Sequence, residues 1–251
     1  MKNIAAALVF FTRLPFWRLK MFNVPAEYFK QVINYWAVVG WLTAGVMAGT
    51  LWCAAHILPY SIAVLLALLS RLLITGALHE DGLADFFDGL GGGTTRVRIL
   101  EIMKDSHIGT YGVLSLIFYF SLFYLLLSSL ELHMACIVIL VADPLCKFIA
   151  SLITLLLPYA RNEETSKSKT VYNKMSVRTA FISILFGLFP FVFLLNIHFW
   201  AVILFPIFVF LVLTFLMKTK IQGYTGDCCG ATFLMCELSF YLGIAIIFNL
   251  L

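Results

Sequence analysis

The chain has 251 residues, 62% of them hydrophobic and only 12% charged, with a mean hydropathy of +0.99. A soluble globular domain is nearer half apolar and a quarter charged, so the composition excludes one and points to lipid. The net charge is +4, and no run of five or more Lys and Arg occurs, which argues against a nucleic-acid partner.

In chain order, "IAAALVFF" (4–11) is too short to span a bilayer, and no small-residue cleavage site follows it. It reads as an interfacial or re-entrant helix. Candidate spans follow at 32–58, 61–78, 112–130, 134–157, 180–197, 199–217 and 231–250. Each approaches the ~20 apolar residues that a hydrocarbon core requires. The expectation is an all-α polytopic transmembrane bundle of about seven spans, residues 1–251 forming a single integral membrane domain surrounded by lipid. Pro59 and Asn196 mark tight turns between neighbouring spans. The six cysteines form neither a zinc spacing nor a disulfide framework, Cys228 and Cys229 being adjacent and the rest lying in apolar stretches.

Lys and Arg gather before residue 31, in 79–111, in 158–179 and in 218–230. These are alternate loops, and the opposite loops hold none. The positive-inside rule then puts the N-terminus and every long polar loop in the cytoplasm. Arg71, Asp143, Lys147 and Glu237 fall inside spans, where charges face the bundle interior or a cavity. Asp143 and Lys147, four residues apart, can neutralise each other. Pro144 is a candidate kink.

The segment "HEDGLADFFDG" (79–89) breaks the apolar pattern, with Glu80, Asp81, Asp85, Asp88 and His79 within eleven residues. If the helix of 61–78 continued through it, Asp81, Asp85 and Asp88 would fall within roughly 60° of one another. Like charges so placed repel. At a helix C-terminus the macrodipole adds to the repulsion. Both effects disfavour a structural role and ask for a cation. Oxygen ligands favour Mg²⁺, Mn²⁺ or Ca²⁺ over zinc, and Mg²⁺ is commonly held by a few carboxylates together with substrate phosphates. The plain alternative is an acidic surface loop. His79 reads equally as ligand, base or interfacial residue.

Three further features stand beside this cluster. "GLGGG" (89–93) could bring backbone N–H groups to a phosphate, and Arg96, Arg98 and Lys104 could pair with phosphate oxygens. "MKDSHIGTYG" (103–112) offers Asp105, as a metal ligand or a helix N-cap. "GYTGDCCGA" (223–231) offers Asp227 among small residues. All lie at expected cytoplasmic helix ends and could converge.

"HEDGLADFFDG", "RILEIMKDSHIGTYG" (98–112) and "GYTGDCCGA", with "FTRLP" (11–15) near the N-terminus, together resemble the cobalamin synthase family, the adenosylcobinamide-GDP ribazoletransferases or cobalamin-5′-phosphate synthases. The resemblance implies a bacterial inner-membrane enzyme that uses Mg²⁺. Its reaction joins adenosylcobinamide-GDP to α-ribazole or α-ribazole 5′-phosphate and releases GMP. On that reading Asp81, Asp85 and Asp88 are the natural metal ligands, with Glu80 and Asp105 as further candidates. One of these carboxylates or His79 takes the proton. Arg13, Arg96, Lys104 and Asp227 are candidates for holding the nucleotide. Whether the chain forms a homo-oligomer stays open. "DFFDG" also resembles part of the CDP-alcohol phosphotransferase signature, but Gly92 and Gly93 stand where that signature has Ala-Arg. An ion-coupled transporter, the remaining alternative, would carry repeats and broken midplane helices, which the sequence does not show.

Overall fold

The computed structural model describes residues 2–161, 172–194 and 197–250. The expected turn residue Asn196 and part of the polar 158–179 loop lie outside them. The described residues contain helices and no strand. Helix α1 is Lys2–Phe11. Short 3-10 segments, the last being Ala26–Tyr35, lead into α2, Trp36–Ala55. Then come α3 (Tyr60–Thr75), α4 (Leu78–Gly92), α5 (Arg96–Lys104), α6 (Thr110–Ser128), α7 (Leu132–Ser151) and the single turn α8 (Ile153–Leu156). Helix α9 is Val177–Leu188, α10 is Leu204–Lys220 and α11 is Gly226–Leu250.

Among the described residues five helical stretches are long and apolar enough to cross a membrane, and α3 with α4 would make a sixth as one bent span. The expected span at 180–197 is shorter than drawn. Helix α9 ends at Leu188, and a 3-10 turn with Pro190 in its first residues takes over, because proline has no N–H to continue the α-helical ladder. Helix α7 runs through Pro144 as one element of 20 residues.

The expected continuation of 61–78 into the acidic segment does not occur. Gly76 (φ +66°) and Ala77 (φ +56°) are both left-handed, and α3 and α4 meet at 89°. The Gly76 and Ala77 N–H groups both close on the Leu72 carbonyl, which terminates α3. A side chain at Gly76 would also collide with that of Arg13. The break reverses the electrostatic argument made from the sequence. Glu80 and Asp81 occupy the first turn of a new helix, where the macrodipole favours negative charge.

The buried charges pair off. Arg71 donates from Nη1 to both Glu237 oxygens (2.7 and 2.6 Å) and from Nη2 to the Tyr119 hydroxyl (2.6 Å). This clamps α3 to α11 and α6. Lys147 pairs with Asp143 as the spacing suggested, and also donates to Thr43 Oγ1 at 2.6 Å, while Thr43 donates to Asp143 Oδ2 at 2.8 Å. Gly40 lets α2 close onto α7 at this triad, since a Cβ there would stand 2.6 Å from Pro144 Cα. Charges this deep persist only when paired and hydrogen-bonded. Helix α11 meets α4 through two reciprocal close approaches. A Cβ on Gly82 would lie 3.0 Å from the Asp227 carbonyl, and one on Gly230 would lie 3.1 Å from the His79 carbonyl. The first turns of α4 and α11 are thereby held side by side.

Candidate active site

At that junction α1, the start of α2, α4 and α11, and the chain after α8 enclose a cavity of about 350 Å³. Its charged lining is Arg13, Asp81, Arg161 and Asp227, with His79 beside them. Asp81 is exposed on the first turn of α4. Asp227 sits in the first turn of α11, accepts a hydrogen bond from Thr225 Oγ1 (3.3 Å), and lies 3.6 Å from Arg161 Nη1. The Arg161 guanidinium is held in place by donating from Nη2 to the Leu100 carbonyl at 2.9 Å. Arg13 is anchored by its backbone N–H on the Ile74 carbonyl (2.7 Å), so its side chain crosses the α3–α4 break at Gly76.

His79 is buried among Phe11, Trp36 and Phe233, with ring centroids 6.0, 5.2 and 5.2 Å away. Its Nε2 has no hydrogen-bond partner. Glu80 turns into the bundle. Neither of its oxygens is hydrogen-bonded, and the Arg71 guanidinium stands 3.7 Å away.

None of the remaining acidic residues predicted for the metal lines the cavity with Asp81. Asp88 accepts from the Gly109 N–H at 2.7 Å and the Gly112 N–H at 2.8 Å. It thus caps the N-terminus of α6, a favourable seat for an anion. The two glycines of "IGTYG" have a structural cause, because a Cβ at either would strike the Asp88 carboxylate. Asp85 is buried one turn beyond Asp81 and does not line the cavity. Asp105 is exposed as the C-cap of α5, whereas the N-cap of α6 is Gly109. The His107 backbone N–H (3.0 Å) and ring Nδ1 (2.7 Å) lie on its Oδ1, and these bonds hold its carboxyl below the usual range. Among the described residues no group of three or more His, Cys, Asp or Glu could hold a metal ion.

The basic candidates divide in the same way. Arg96 donates to the Ile221 and Ala160 carbonyls (2.8 and 3.0 Å), tying α5 to two loops. Arg98 pairs with Glu101 on the surface, and Lys104 is exposed away from the cavity. The glycine run 89–93 packs helices together. A Cβ on Gly89 would meet Met103, one on Gly91 would meet Tyr111, and one on Gly93 would meet Ile99. Arg161 is the cavity residue that sequence reasoning missed. It counted there only as a topological charge, five residues beyond the end of α8 at Leu156.

The profile of the family described as cobalamin-5-phosphate synthase matches residues 3–245. A Shewanella sp. (strain W3-18-1) protein named adenosylcobinamide-GDP ribazoletransferase is 35% identical over 248 residues, covering 98% of this chain and 94% of that one. A Leptospira interrogans protein of the same name is 36% identical over 258 residues, covering 98% and 96%. One from Shewanella frigidimarina is 38% identical over 241 residues, covering 94% and 91%. No solved structure matches. Similarity that runs through the bend, the cavity and the α4–α11 junction alike, from residue 3 to residue 245, shows that the chain belongs to the cobalamin-5-phosphate synthase family, transferases of cobalamin synthesis.

Proposed function

We propose that the chain joins adenosylcobinamide-GDP to α-ribazole or its 5′-phosphate, releasing GMP and forming adenosylcobalamin or its 5′-phosphate. The reaction takes place at the cytoplasmic face of a bacterial inner membrane. The observation that carries this reading is the cavity lined by two carboxylates, Asp81 and Asp227, and two guanidiniums, Arg13 and Arg161. A diphosphate needs cations on its oxygens, and its cleavage by an alcohol is chiefly a matter of positioning and charge neutralisation. The Lys and Arg pattern supports the cytoplasmic side.

Two carboxylates on one cavity suit Mg²⁺, which takes one or two from a protein and completes its shell with phosphate oxygens and water. Asp81 and Asp227 would hold it, with Asp85 one turn behind. Bound there, the ion would polarise the phosphoryl group under attack. Arg13 and Arg161 orient the diphosphate by hydrogen bonds to its non-bridging oxygens. A ribose hydroxyl attacks the phosphorus that carries the cobinamide ester. The new O–P bond forms as the bridging P–O bond breaks, and GMP leaves with that electron pair. His79 lines the cavity and its buried Nε2 is unpartnered; to this residue we assign the hydroxyl proton.

The test is GMP release by the purified chain supplied with Mg²⁺, adenosylcobinamide-GDP and α-ribazole. Release is expected to need all three. GMP formed at the same rate without α-ribazole, or none formed with every component present, rejects the proposal.

A further inference from the structure

The same cavity has an aromatic lining, of which the phosphate chemistry uses only His79. Tyr172 meets Phe10 edge-on at 6.5 Å, and Phe10 meets Phe11 at 4.9 Å. Phe11 stacks on Trp36 at 5.1 Å and 15°, and Trp36 reaches His79 at 5.2 Å. All five rings line the cavity. Arg161 and Asp227, 3.6 Å apart, line the same cavity. Within the aromatic strip two ring nitrogens are unpartnered, His79 Nε2 and the Trp36 indole nitrogen, and only the second is a fixed donor. Trp36 is buried, and its indole N–H has no hydrogen-bond partner.

We infer that this aromatic wall seats the flat benzimidazole base of the acceptor nucleoside, with the Trp36 N–H donating to its free ring nitrogen, while the corrinoid and the guanine of the donor stay outside. The inference rests on the reaction proposed above. Aromatic surfaces hold flat bases by stacking. Guanine would bring several donors and acceptors on its edge, and an apolar wall would strip them of water without replacing it. The benzimidazole of α-ribazole brings one. One ring nitrogen carries the ribose, and the other is a lone acceptor. Indole offers a donor only, so a single orphan donor meets a single orphan acceptor. Size agrees. About 350 Å³ lies at the small end of the roughly 300–1,000 Å³ of ligand pockets. That suits one nucleoside and excludes a corrin ring with its side chains. The ribose then points toward Arg161 and Asp227, where its hydroxyl attacks phosphorus.

Equilibrium dialysis of the full detergent-solubilised chain tests this without turnover. The ligands are α-ribazole and its indole counterpart, which carries CH in place of the free ring nitrogen. Wild type is expected to bind the indole nucleoside about tenfold more weakly, the range of one hydrogen bond. Trp36→Phe is expected to bind α-ribazole about tenfold more weakly and to discriminate no further between the two ligands. Phe10→Leu should weaken both equally, and GMP should displace neither. Displacement of α-ribazole by GMP, or full discrimination retained by Trp36→Phe, overturns the inference. Should Trp36→Phe not fold, the ligand pair and GMP competition on wild type still decide it. Binding with these properties but no GMP release would reject the reaction and keep the seat. GMP release with an acceptor affinity indifferent to the ring nitrogen would reject the seat and keep the reaction.

Discussion

Asp88 separates two accounts of the acidic motif. The sequence reading makes it a metal ligand; the structure makes it the cap of α6, with each carboxylate oxygen taken by a backbone N–H, from Gly109 at 2.7 Å and from Gly112 at 2.8 Å. Asp88→Asn keeps the size of the side chain and removes its charge. The amide oxygen can still accept one N–H, but its NH₂ then faces the other N–H, donor against donor. A hydrogen bond to a charged group is worth about 1.5–3 kcal/mol, and the interaction with the helix N-terminus adds ~0.3–1 kcal/mol. Asp88 is only 7% exposed, so solvent does little to replace either. The expected loss is ~2–4 kcal/mol, which at about 2–4 °C per kcal/mol for a chain of this size lowers the melting temperature by roughly 5–15 °C. The assay is thermal unfolding in detergent, followed by helical circular dichroism, with the Mg²⁺ dependence of GMP release measured well below the transition. The capping account expects a lower melting temperature and an unchanged Mg²⁺ concentration at half-maximal rate. An unchanged melting temperature with a Mg²⁺ requirement raised tenfold or more would refute it and return Asp88 to the metal.

Asp81→Asn and Asp227→Asn should behave in the opposite way, lowering GMP release by at least ~100-fold while leaving the melting temperature within a few degrees; a full rate in either would remove that carboxylate from the site. Glu237→Gln leaves the Arg71 guanidinium buried without its charge partner and should cost ~3–5 kcal/mol, much of it recovered in the double variant Arg71→Met/Glu237→Leu, as unfolding of the three proteins would show. Gly76→Ala should destabilise by at least ~1–2 kcal/mol, because φ is +66° and the new Cβ meets the Arg13 side chain; a normal melting temperature would show that the break does not need glycine. For Asp105, the lowered carboxyl pKa means a contribution present above the ordinary Asp pKa of about 3.9 and lost as pH falls through the lower folded value. The difference in melting temperature between wild type and Asp105→Asn should therefore be constant above about pH 5 and close below about pH 4.

The helical class and most of the spans were legible because the bilayer requires long apolar runs and closed backbone hydrogen bonds. The pairing of Asp143 with Lys147 was legible from helical spacing, and the site as a region was legible from the concentration of acids. The bend was not. Gly76 alone permits a left-handed turn, but Ala77 also adopts one, and nothing in its identity announces that. Missing the bend inverted the sign of the dipole at Glu80 and Asp81. The roles within the motif were hidden for a related reason. Periodicity places Asp88 on a face, but only the tertiary fold brings the N-terminus of α6 onto that face. Arg161 joins the cavity from the middle of the chain, 80 residues after Asp81, at a separation that local pattern does not reach.

The crowding of charge that seems to demand a metal has a different first answer. Glu80 and Asp81 stand in the opening turn of α4, Asp227 in that of α11, and Asp88 on the N–H groups that open α6. Each helix N-terminus presents the equivalent of about half a positive charge, so a chain poor in basic side chains within its spans neutralises its acids with backbone. Glu80 is further offset by Arg71 at 3.7 Å. On this account Glu80, Asp81, Asp88 and Asp227 are offset within the fold by backbone and by Arg71. Any ion recruited by Asp81 and Asp227 is then bound with the substrate's own phosphates rather than locked into the scaffold. Chelation should accordingly stop GMP release and leave the melting temperature of the substrate-free protein where it was. A large destabilisation by chelator alone would show that the metal belongs to the fold and that the helix ends do not suffice.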